Sequence, residues 1–182
     1  MEEYGSFDLY GCLIINAVMV TGMLGYDINH ILDNSGIDYV VRKNQCNVAF
    51  SCEDVARERG VALSQVLKCM VGKDSEGNVY VMLVSGNKNI DLKKVERLLE
   101  GKKINFVPRE ELSTKYGLIV GAINPIHFIG KATFFLDQTV EREEYVDISS
   151  GSPNAGIELK VGDLIKLIKP MICDIISEKR GA

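Results

Sequence analysis

The amino-acid sequence predicts a single α+β (mixed α/β) domain, in which helices flank one curved, mixed β-sheet. The chain has 182 residues, of which 46% are hydrophobic, and this is enough for one domain with a full core. Short apolar runs rich in β-formers are interleaved with amphipathic stretches that carry helix-capping residues. These runs do not alternate strictly between strand and helix, and this irregular order favours the α+β class.

Residues 1–24 are set apart from the domain, which we expect over 25–182. They form an atypical apolar segment that is too short and too interrupted to span a bilayer. No cationic region precedes the apolar run, so we expect no signal peptide and no membrane partner. Either this segment is an additional buried element, or the native protein starts at an internal methionine such as Met19 or Met23.

Residues with capping preferences mark the predicted helices. Asp27 is the expected N-cap of the first helix, and Ser51 with Asp54 forms a capping-box pattern at the second. A glycine follows each of the first four helices, as expected for C-terminal caps. In the third helix, Leu98 is one of four apolar residues that we expect to face the core. The predicted helices cover 27–34, 51–59, 91–99, 108–115 and 161–168.

Runs of β-branched and aromatic residues mark the predicted strands. A polar stretch over 74–78 predicts a hairpin turn between two of them. The strand over 118–120 leads directly into a loop over 121–125, which contains a glycine and a proline. The predicted strands cover 37–41, 66–71, 79–84, 104–107, 118–120, 132–136, 145–148 and 157–159.

The charge and the cysteine content argue against several classes of protein. A net charge of −4 and a pI near 5.3 are unfavourable for a protein that coats long nucleic acids, and we expect no DNA partner. The five cysteines form no C-x-x-C pair, and their odd number fits a reducing, cytoplasmic location. With two histidines in the chain, metal ligands would have to be scattered through the fold, so we expect no metal site and no cofactor.

Lys68 is the first candidate for a functional residue, because its ammonium is set into a buried apolar strand. A lysine in such a place is costly unless its stem reaches the surface or its charge meets a bound anion. In the loop over 121–125, Gly121 is free to adopt positive φ and Pro125 fixes the exit, so the backbone can offer bare polar groups. A cation beside such a loop is one way in which proteins hold a phosphate or the end of a nucleotide.

Simpler interpretations stay open when only the residues are considered. Lys68 can be an ordinary surface lysine, and a glycine and proline in one loop can form an ordinary turn. A nucleophilic pair of Cys69 and His127 is a further hypothesis, although a cysteine in a strand is more often plain core. His127 itself is more readily explained by a structural or exposed role.

Four segments of the chain, in this order, resemble the YbaK / prolyl-tRNA-synthetase editing-domain family of aminoacyl-tRNA deacylases. The resemblance extends from about Asp27 to Ile176, and it implies the fold of those editing domains for 25–182. Each segment is a weak signal alone, whereas four in the order and spacing of the family are fairly specific. The segments are ARERGVALSQVLK over 56–68, GAINP over 121–125, FFLD over 134–137 and SGSPNAGIEL over 150–159.

The resemblance implies a role for each matching residue. Lys68 corresponds to a lysine that is needed for activity and contacts the phosphate side of the terminal adenosine of tRNA. Gly121 and Pro125 correspond to a loop that lines the aminoacyl pocket and positions water, while the 2′-hydroxyl of the adenosine assists attack on the ester. The residues that the resemblance assigns to substrate binding are Ala122, Ile123, Asn124, Asp137, Gly151, Ser152 and Asn154.

The chain departs from the family at two places. Many relatives carry an aromatic residue or a histidine where this chain has Arg42, Lys43 and Asn44, and some carry a histidine or an aspartate in the loop over 152–156. These departures bear on which aminoacyl group is accepted. Asp137 also has a structural alternative, as a turn-forming cap at the end of a strand.

The resemblance therefore implies a trans-editing hydrolase that removes small amino acids, such as alanine or cysteine, from mischarged tRNA(Pro) or a similar tRNA. Its partner would be the 3′ end of the aminoacyl-tRNA, with recruitment by an aminoacyl-tRNA synthetase or an elongation factor. A non-catalytic paralogue that binds tRNA ends or a synthetase is the alternative. A third possibility is hydrolysis of an unrelated small ester or amide, which would not depend on tRNA.

Overall fold

The computed structural model describes residues 28–46 and 48–177, so the expectations for 1–24 and for the Asp27 cap lie outside the described residues. No helix within these ranges is long and apolar enough to cross a membrane. The helices are α1 Ile28–Asn34, α2 Cys52–Arg59, α3 Leu92–Leu98, α4 Arg109–Tyr116 and α5 Val161–Ile168, with 3-10 helices at Pro125–Phe128 and Gln138–Arg142. The strands are β1 Tyr39–Lys43, β2 Leu67–Lys73, β3 Val79–Ser85, β4 Asn105–Phe106, β5 Thr133–Asp137, β6 Tyr145–Ser149, β7 Ala155–Lys160 and β8 Met171–Cys173.

The α+β class is confirmed, but the strands form two sheets where the sequence predicted one. The larger sheet has the order β4-β2-β3-β5-β8 and is mixed, because β2 is antiparallel to both β4 and β3 whereas β5 is parallel to both β3 and β8. The smaller sheet is antiparallel, with the order β1-β7-β6.

The two sheets meet where Val66, just before β2, pairs with Asp147 of β6 in an isolated parallel bridge. At this place the backbone N–H of Asp147 donates to the carbonyl of Gln65 at 2.9 Å. We call this junction the seam. It fixes the start of β2, and therefore Lys68, relative to the smaller sheet.

The apolar core explains why β3 has an uninterrupted hydrophobic sequence. Val81 and Leu83 face a large cluster that includes residues of both sheets, while Tyr80, Met82 and Val84 face a second cluster on the other side of the larger sheet. A strand covered on both faces needs apolar residues at every position rather than at alternate ones.

Two local predictions were wrong. Residues 118–120 form no strand, since Gly117 ends α4 in the left-handed conformation and the chain then turns, with the Ala122 N–H bonded to the Ile119 carbonyl. Leu98, which was expected to face the core, is 41% exposed. Successive residues of a helix are about 100° apart, so Leu98 lies to one side of the buried Val95, whereas Leu92 and Leu99, which contact the core, lie to its other side.

The hairpin turn predicted between β2 and β3 is present, and the carboxylate of Asp74 organises it. Its Oδ1 accepts from the backbone N–H groups of Glu76 and Asn78, and its Oδ2 accepts from the side-chain amide of Asn78 and from the Tyr80 hydroxyl. The hydrogen bond from the Asn78 side chain, followed by that from Tyr80, lowers the pKa of Asp74 to about 2.

This turn predicts an acid-dependent stability. Because the pKa of Asp74 is lower in the folded chain, its contribution is present above the unfolded pKa and is lost as the pH falls through about 2. We expect Asp74→Asn to unfold more easily than the wild type at pH 5 and to show a flatter decline of unfolding free energy below pH 4, measured by urea denaturation. The exposed Asp33→Asn serves as the charge-matched control. Parallel declines for wild type and Asp74→Asn would contradict the assignment.

Candidate functional site

A cavity of about 420 Å³ opens at the seam. Both sheets, the N-terminal end of α2 and the loop after residue 119 contribute to its wall, so it exists only in the assembled fold. Its volume lies in the usual range for small-molecule sites. Residues of the wall include Phe50, Arg59, Lys68, Phe106, Gly121 and Asp147.

Lys68 brings a positive charge to this cavity. Its Nζ donates to the backbone carbonyl of Lys88 at 2.6 Å and lies 3.4 Å from Oδ1 of Asn89. Among residues 28–46 and 48–177, no carboxylate forms an ion pair with Lys68. An ammonium has three donors, so this contact to a neutral carbonyl orients Lys68 and leaves its charge uncompensated by an acid.

The loop over 121–125 has the backbone geometry that its glycine predicts. Gly121 has φ of +87°, and a Cβ on it would lie 3.1 Å from both the carbonyl oxygen and Cδ1 of Phe50. The glycine is therefore required twice, for the positive φ and for the close packing of the loop on Phe50. Within the described part of the chain, the backbone N–H groups of Gly121 and Ile123 donate to no acceptor.

Asn124 and Pro125 stabilise this loop from outside the cavity. The Oδ1 of Asn124 accepts from the Ile126 N–H at 2.8 Å and caps the 3-10 helix that Pro125 begins. The Nδ2 of Asn124 donates to the carbonyl of Ser149 at 2.5 Å, and this bond ties the loop to the end of β6. Both side chains are buried and neither lines the cavity.

The structure thus divides the residues expected at the site into two groups. Lys68, Gly121 and Ile123 line the cavity. Asp137 lies outside it, fully buried, where its Oδ1 accepts from the Thr139 N–H and its Oδ2 from the Ile175 N–H. This is the capping geometry that the sequence allowed as the alternative for Asp137. The other expected residues that do not line the cavity are Ala122, Asn124, Pro125, Gly151, Ser152 and Asn154.

The two segments that depart from the family pattern contact each other. The N–H of Asn44 donates to the carbonyl of Asn154, and its Nδ2 donates to the carbonyl of Pro153, both at 2.9 Å. Arg42 lies opposite Gly156 in the β1–β7 register. The departures at 42–44 and 152–156 are therefore one packed unit and not two independent changes.

A buried ion pair between Arg59 and Asp147 joins this unit to the cavity wall. The side chains are 3% and 1% exposed, and Nη1 of Arg59 lies 2.5 Å from Oδ1 of Asp147. Nε of Arg59 also donates to Oδ1 of Asn44 at 3.0 Å. Gly156 makes room for the pair, since a Cβ there would lie 2.1 Å from Nη1 of Arg59 and 2.6 Å from Oδ1 of Asp147.

The sequence analysis missed this pair, although Asp147 has the same feature that identified Lys68, a charged residue within an apolar strand. Asp147 is a charged residue between two apolar residues of a strand, Val146 and Ile148. Burial raises the pKa of Asp147, and the neighbouring Arg59 acts in the opposite direction. The second oxygen of Asp147, Oδ2, is buried and has no hydrogen-bond partner among the described residues.

The hypothesis of a nucleophilic Cys69 finds no support in this geometry. Burial raises the pKa of the Cys69 thiol strongly, which disfavours the thiolate needed for attack. His127 lies outside the cavity and packs edge-on against Phe128, with 5.2 Å between ring centroids. The described ranges also contain no group of three metal-ligating His, Cys, Asp or Glu side chains.

The sequence matches a known family and two curated proteins. The model of the aminoacyl-tRNA editing domain matches residues 46–167. The chain is 23% identical over 129 residues to the "Putative Cys-tRNA(Pro)/Cys-tRNA(Cys) deacylase EbsC" of Enterococcus faecalis (strain ATCC 700802 / V583), covering 71% of this chain and 79% of that protein. It is 28% identical over 112 residues to the uncharacterized protein YwhH of Bacillus subtilis (strain 168), covering 62% and 71%.

Solved structures share the fold at low sequence identity. The hypothetical protein APE2540 superposes with a TM-score of 0.75 and 19% identity, over 82% of this chain and 99% of that one. A structure described as a "putative trans-editing enzyme for prolyl tRNA synthetase" gives a TM-score of 0.67 and 21% identity, over 95% of this chain and all of that one. These likenesses confirm the predicted fold class.

The crowding at Gly156 predicts the consequence of adding one methyl group. We expect Gly156→Ala to lower the free energy of unfolding by at least about 2 kcal/mol, because its Cβ would force Arg59 away from Asp147. Gly162→Ala is the matched control, since a Cβ there has no neighbour within 4 Å and lies in a helix. Urea denaturation at pH 7 measures both variants. Equal stability of the two would show that the ion pair tolerates displacement.

Proposed function

The chain belongs to the aminoacyl-tRNA editing domain family, and on that premise we propose that it is a trans-editing hydrolase. It would act on mischarged aminoacyl-tRNA and release small amino acids, such as alanine or cysteine, from tRNA(Pro) or a similar tRNA. The observation that carries the proposal is that Lys68 lines the same cavity as Gly121 and that its ammonium has no acidic partner among the described residues. A cytoplasmic location, where aminoacyl-tRNA is found, goes with this function.

Lys68 would hold the phosphate side of the terminal adenosine. The bond to the Lys88 carbonyl fixes the direction of the ammonium without neutralising its charge, so a phosphate oxygen entering the cavity would gain a charge-assisted hydrogen bond. Arg109 is a further cation in the cavity wall, beside one acid, Glu53, that is not part of the Arg59–Asp147 pair. The cations therefore outnumber the acids in the wall, which favours an anionic ligand.

The loop over 121–125 would position water and the ester. In the described parts of the chain, the N–H groups of Gly121 and Ile123 have no acceptor, and such donors can stabilise charge that develops on an ester oxygen. An aminoacyl ester is already labile, so modest acceleration by positioning and by these contacts is sufficient. The 2′-hydroxyl of the adenosine would assist the attack, and no nucleophilic side chain is needed.

The choice of amino acid would depend mainly on the size of the cavity. A volume of about 420 Å³ accommodates a small aminoacyl group with part of its adenosine. One methylene changes binding by only about 1–3 kcal/mol, so a sieve of this kind separates close analogues weakly. The name of EbsC gives Cys-tRNA(Pro) and Cys-tRNA(Cys) as that protein's substrates, which makes cysteine the first amino acid to test here.

Recognition of the tRNA body would need help from a partner. The net charge of the chain is −4, and a strong electrostatic attraction to the phosphate backbone requires a basic surface. We therefore propose weak affinity for tRNA alone and recruitment by a synthetase or an elongation factor. The alternative function, a non-catalytic paralogue that binds tRNA ends or a synthetase, would use the same cavity without hydrolysis.

The proposal predicts the behaviour of Lys68→Ala in deacylation of a panel led by Cys-tRNA(Pro) and Ala-tRNA(Pro). We expect the variant to release amino acid at least about 100-fold more slowly than the wild type, because it lacks the charge that holds the terminal nucleotide. Its thermal unfolding should stay close to that of the wild type. Release of radiolabelled amino acid under single-turnover conditions measures the rate.

Lys73→Ala is the matched control for this experiment. Lys73 lies on the same strand, β2, but bonds to Glu111 and does not line the cavity, so its variant should keep the wild-type rate. Binding of the panel by the wild type without any hydrolysis would support the non-catalytic paralogue. Equal hydrolysis by wild type and Lys68→Ala would remove Lys68 from the mechanism.

A further inference from the structure

We propose that Asp147 reads the α-ammonium group of the aminoacyl moiety, an assignment that rests on the proposed function of the same cavity. Asp147 would be a binding and specificity-determining residue, with Oδ1 held by Arg59 and Oδ2, which has no donor among the described residues, turned to the substrate on binding. It would make the cavity selective for esters that carry a cationic amino group next to the carbonyl.

Asp147 has a buried carboxylate oxygen without a described donor. Its side chain is 1% exposed, and it belongs to the wall of the cavity together with Arg59. Oδ1 accepts from Arg59 at 2.5 Å, whereas Oδ2 is buried and accepts from no described group. A buried acceptor without a donor is costly, and in native structures such an atom usually has an explanation at a functional site. A ligand donor supplies that explanation.

A cationic donor suits this oxygen of Asp147 best. A carboxylate forms its strongest hydrogen bonds with cationic donors. Glu158 lies directly across from Asp147 on the opposite strand, and Arg42 donates to it through Nε and Nη2, each at 2.7 Å. Arg42 is therefore paired with Glu158 and Arg59 with Asp147, and Oδ2 of Asp147 is the acceptor that is left for a further donor.

The seam fixes the position of Asp147 relative to Lys68. Val66 pairs with Asp147 across the seam, and Lys68 follows Val66 by two residues. Side chains two residues apart in an extended chain point to the same side, so Lys68 points to the side of Val66. The cavity therefore has a cation and a carboxylate whose separation is set by backbone pairing. An aminoacylated adenosine carries the complementary charges, a phosphate at one end and an ammonium at the other.

The experiment compares two esters that differ only at the α position. Cysteinyl- or alanyl-tRNA is tested beside the α-hydroxyacyl-tRNA made from it, in which a hydroxyl replaces the ammonium. Each rate is divided by the uncatalysed rate of the same ester, because the ammonium itself makes the ester more labile. We expect the wild type to accelerate the aminoacyl ester about 10- to 100-fold more than the hydroxyacyl ester, the size of a hydrogen bond between charged groups.

Asp147→Asn then tests whether Asp147 is the source of this preference. Asparagine keeps the shape and an oxygen that can accept from Arg59, but it removes the negative charge of the ion pair. We expect the variant to lose the preference through a higher KM for the aminoacyl ester, with a smaller loss on the hydroxyacyl ester that measures the cost of the broken ion pair. Glu158→Gln is the matched control, since it weakens the neighbouring ion pair on the same sheet and does not line the cavity.

Each result either supports the assignment or overturns it. Equal acceleration of the two esters by the wild type would overturn the role of Asp147 and leave the deacylase function intact; this arm requires no variant to fold. Equal losses on both esters in Asp147→Asn would show a purely structural role. Hydrolysis of neither ester by the wild type would reject the proposed function itself, and this inference with it.

Discussion

The buried ion pair between Arg59 and Asp147 connects most of the parts that form the cavity. Arg59 ends α2 and also bonds to Asn44, Asp147 lies on β6 at the seam, and both pack where Gly156 of β7 has no side chain. Removing two charges from water is costly, and the pair offsets that cost only if its geometry is kept. The ion pair therefore restrains α2, β6 and β7 to one arrangement, and the cavity wall follows from it.

The chemistry of the site depends on polar groups that have no partner of opposite charge in this arrangement. Lys68 lines the cavity and is oriented by a neutral carbonyl, so its positive charge has no acidic partner among the described residues. Asp147 has one oxygen bound to Arg59 and one without a described donor. Gly121 lines the same cavity, and its backbone N–H has no described acceptor. A ligand with a phosphate, an ester and an ammonium would offer a partner to each of these three groups.

The sequence predicted elements whose signals are local. The capping residues Ser51 and Gly60 marked the limits of α2, and α5 lies at the bounds that were predicted for it. Predictions that depend on distant partners failed or were missing. The split into two sheets depends on the pairing at the seam, and residues 118–120 had the composition of a strand but no neighbouring strand to pair with.

The site was predictable to a similar degree. A charge within an apolar strand is visible in one sequence, which is why Lys68 could be named, but the partner of Asp147 lies 88 residues away in the chain.

Direct binding tests the central claim that this cavity holds the aminoacylated end of tRNA. Nitrogen-15 NMR would follow titration with a 5′-phosphorylated adenosine whose 3′-aminoacyl group is joined by a non-hydrolysable amide. The account predicts shifts of the amides of Lys68, Gly121 and Asp147 that are abolished in Lys68→Ala, whereas shifts confined to residues outside the cavity would contradict it.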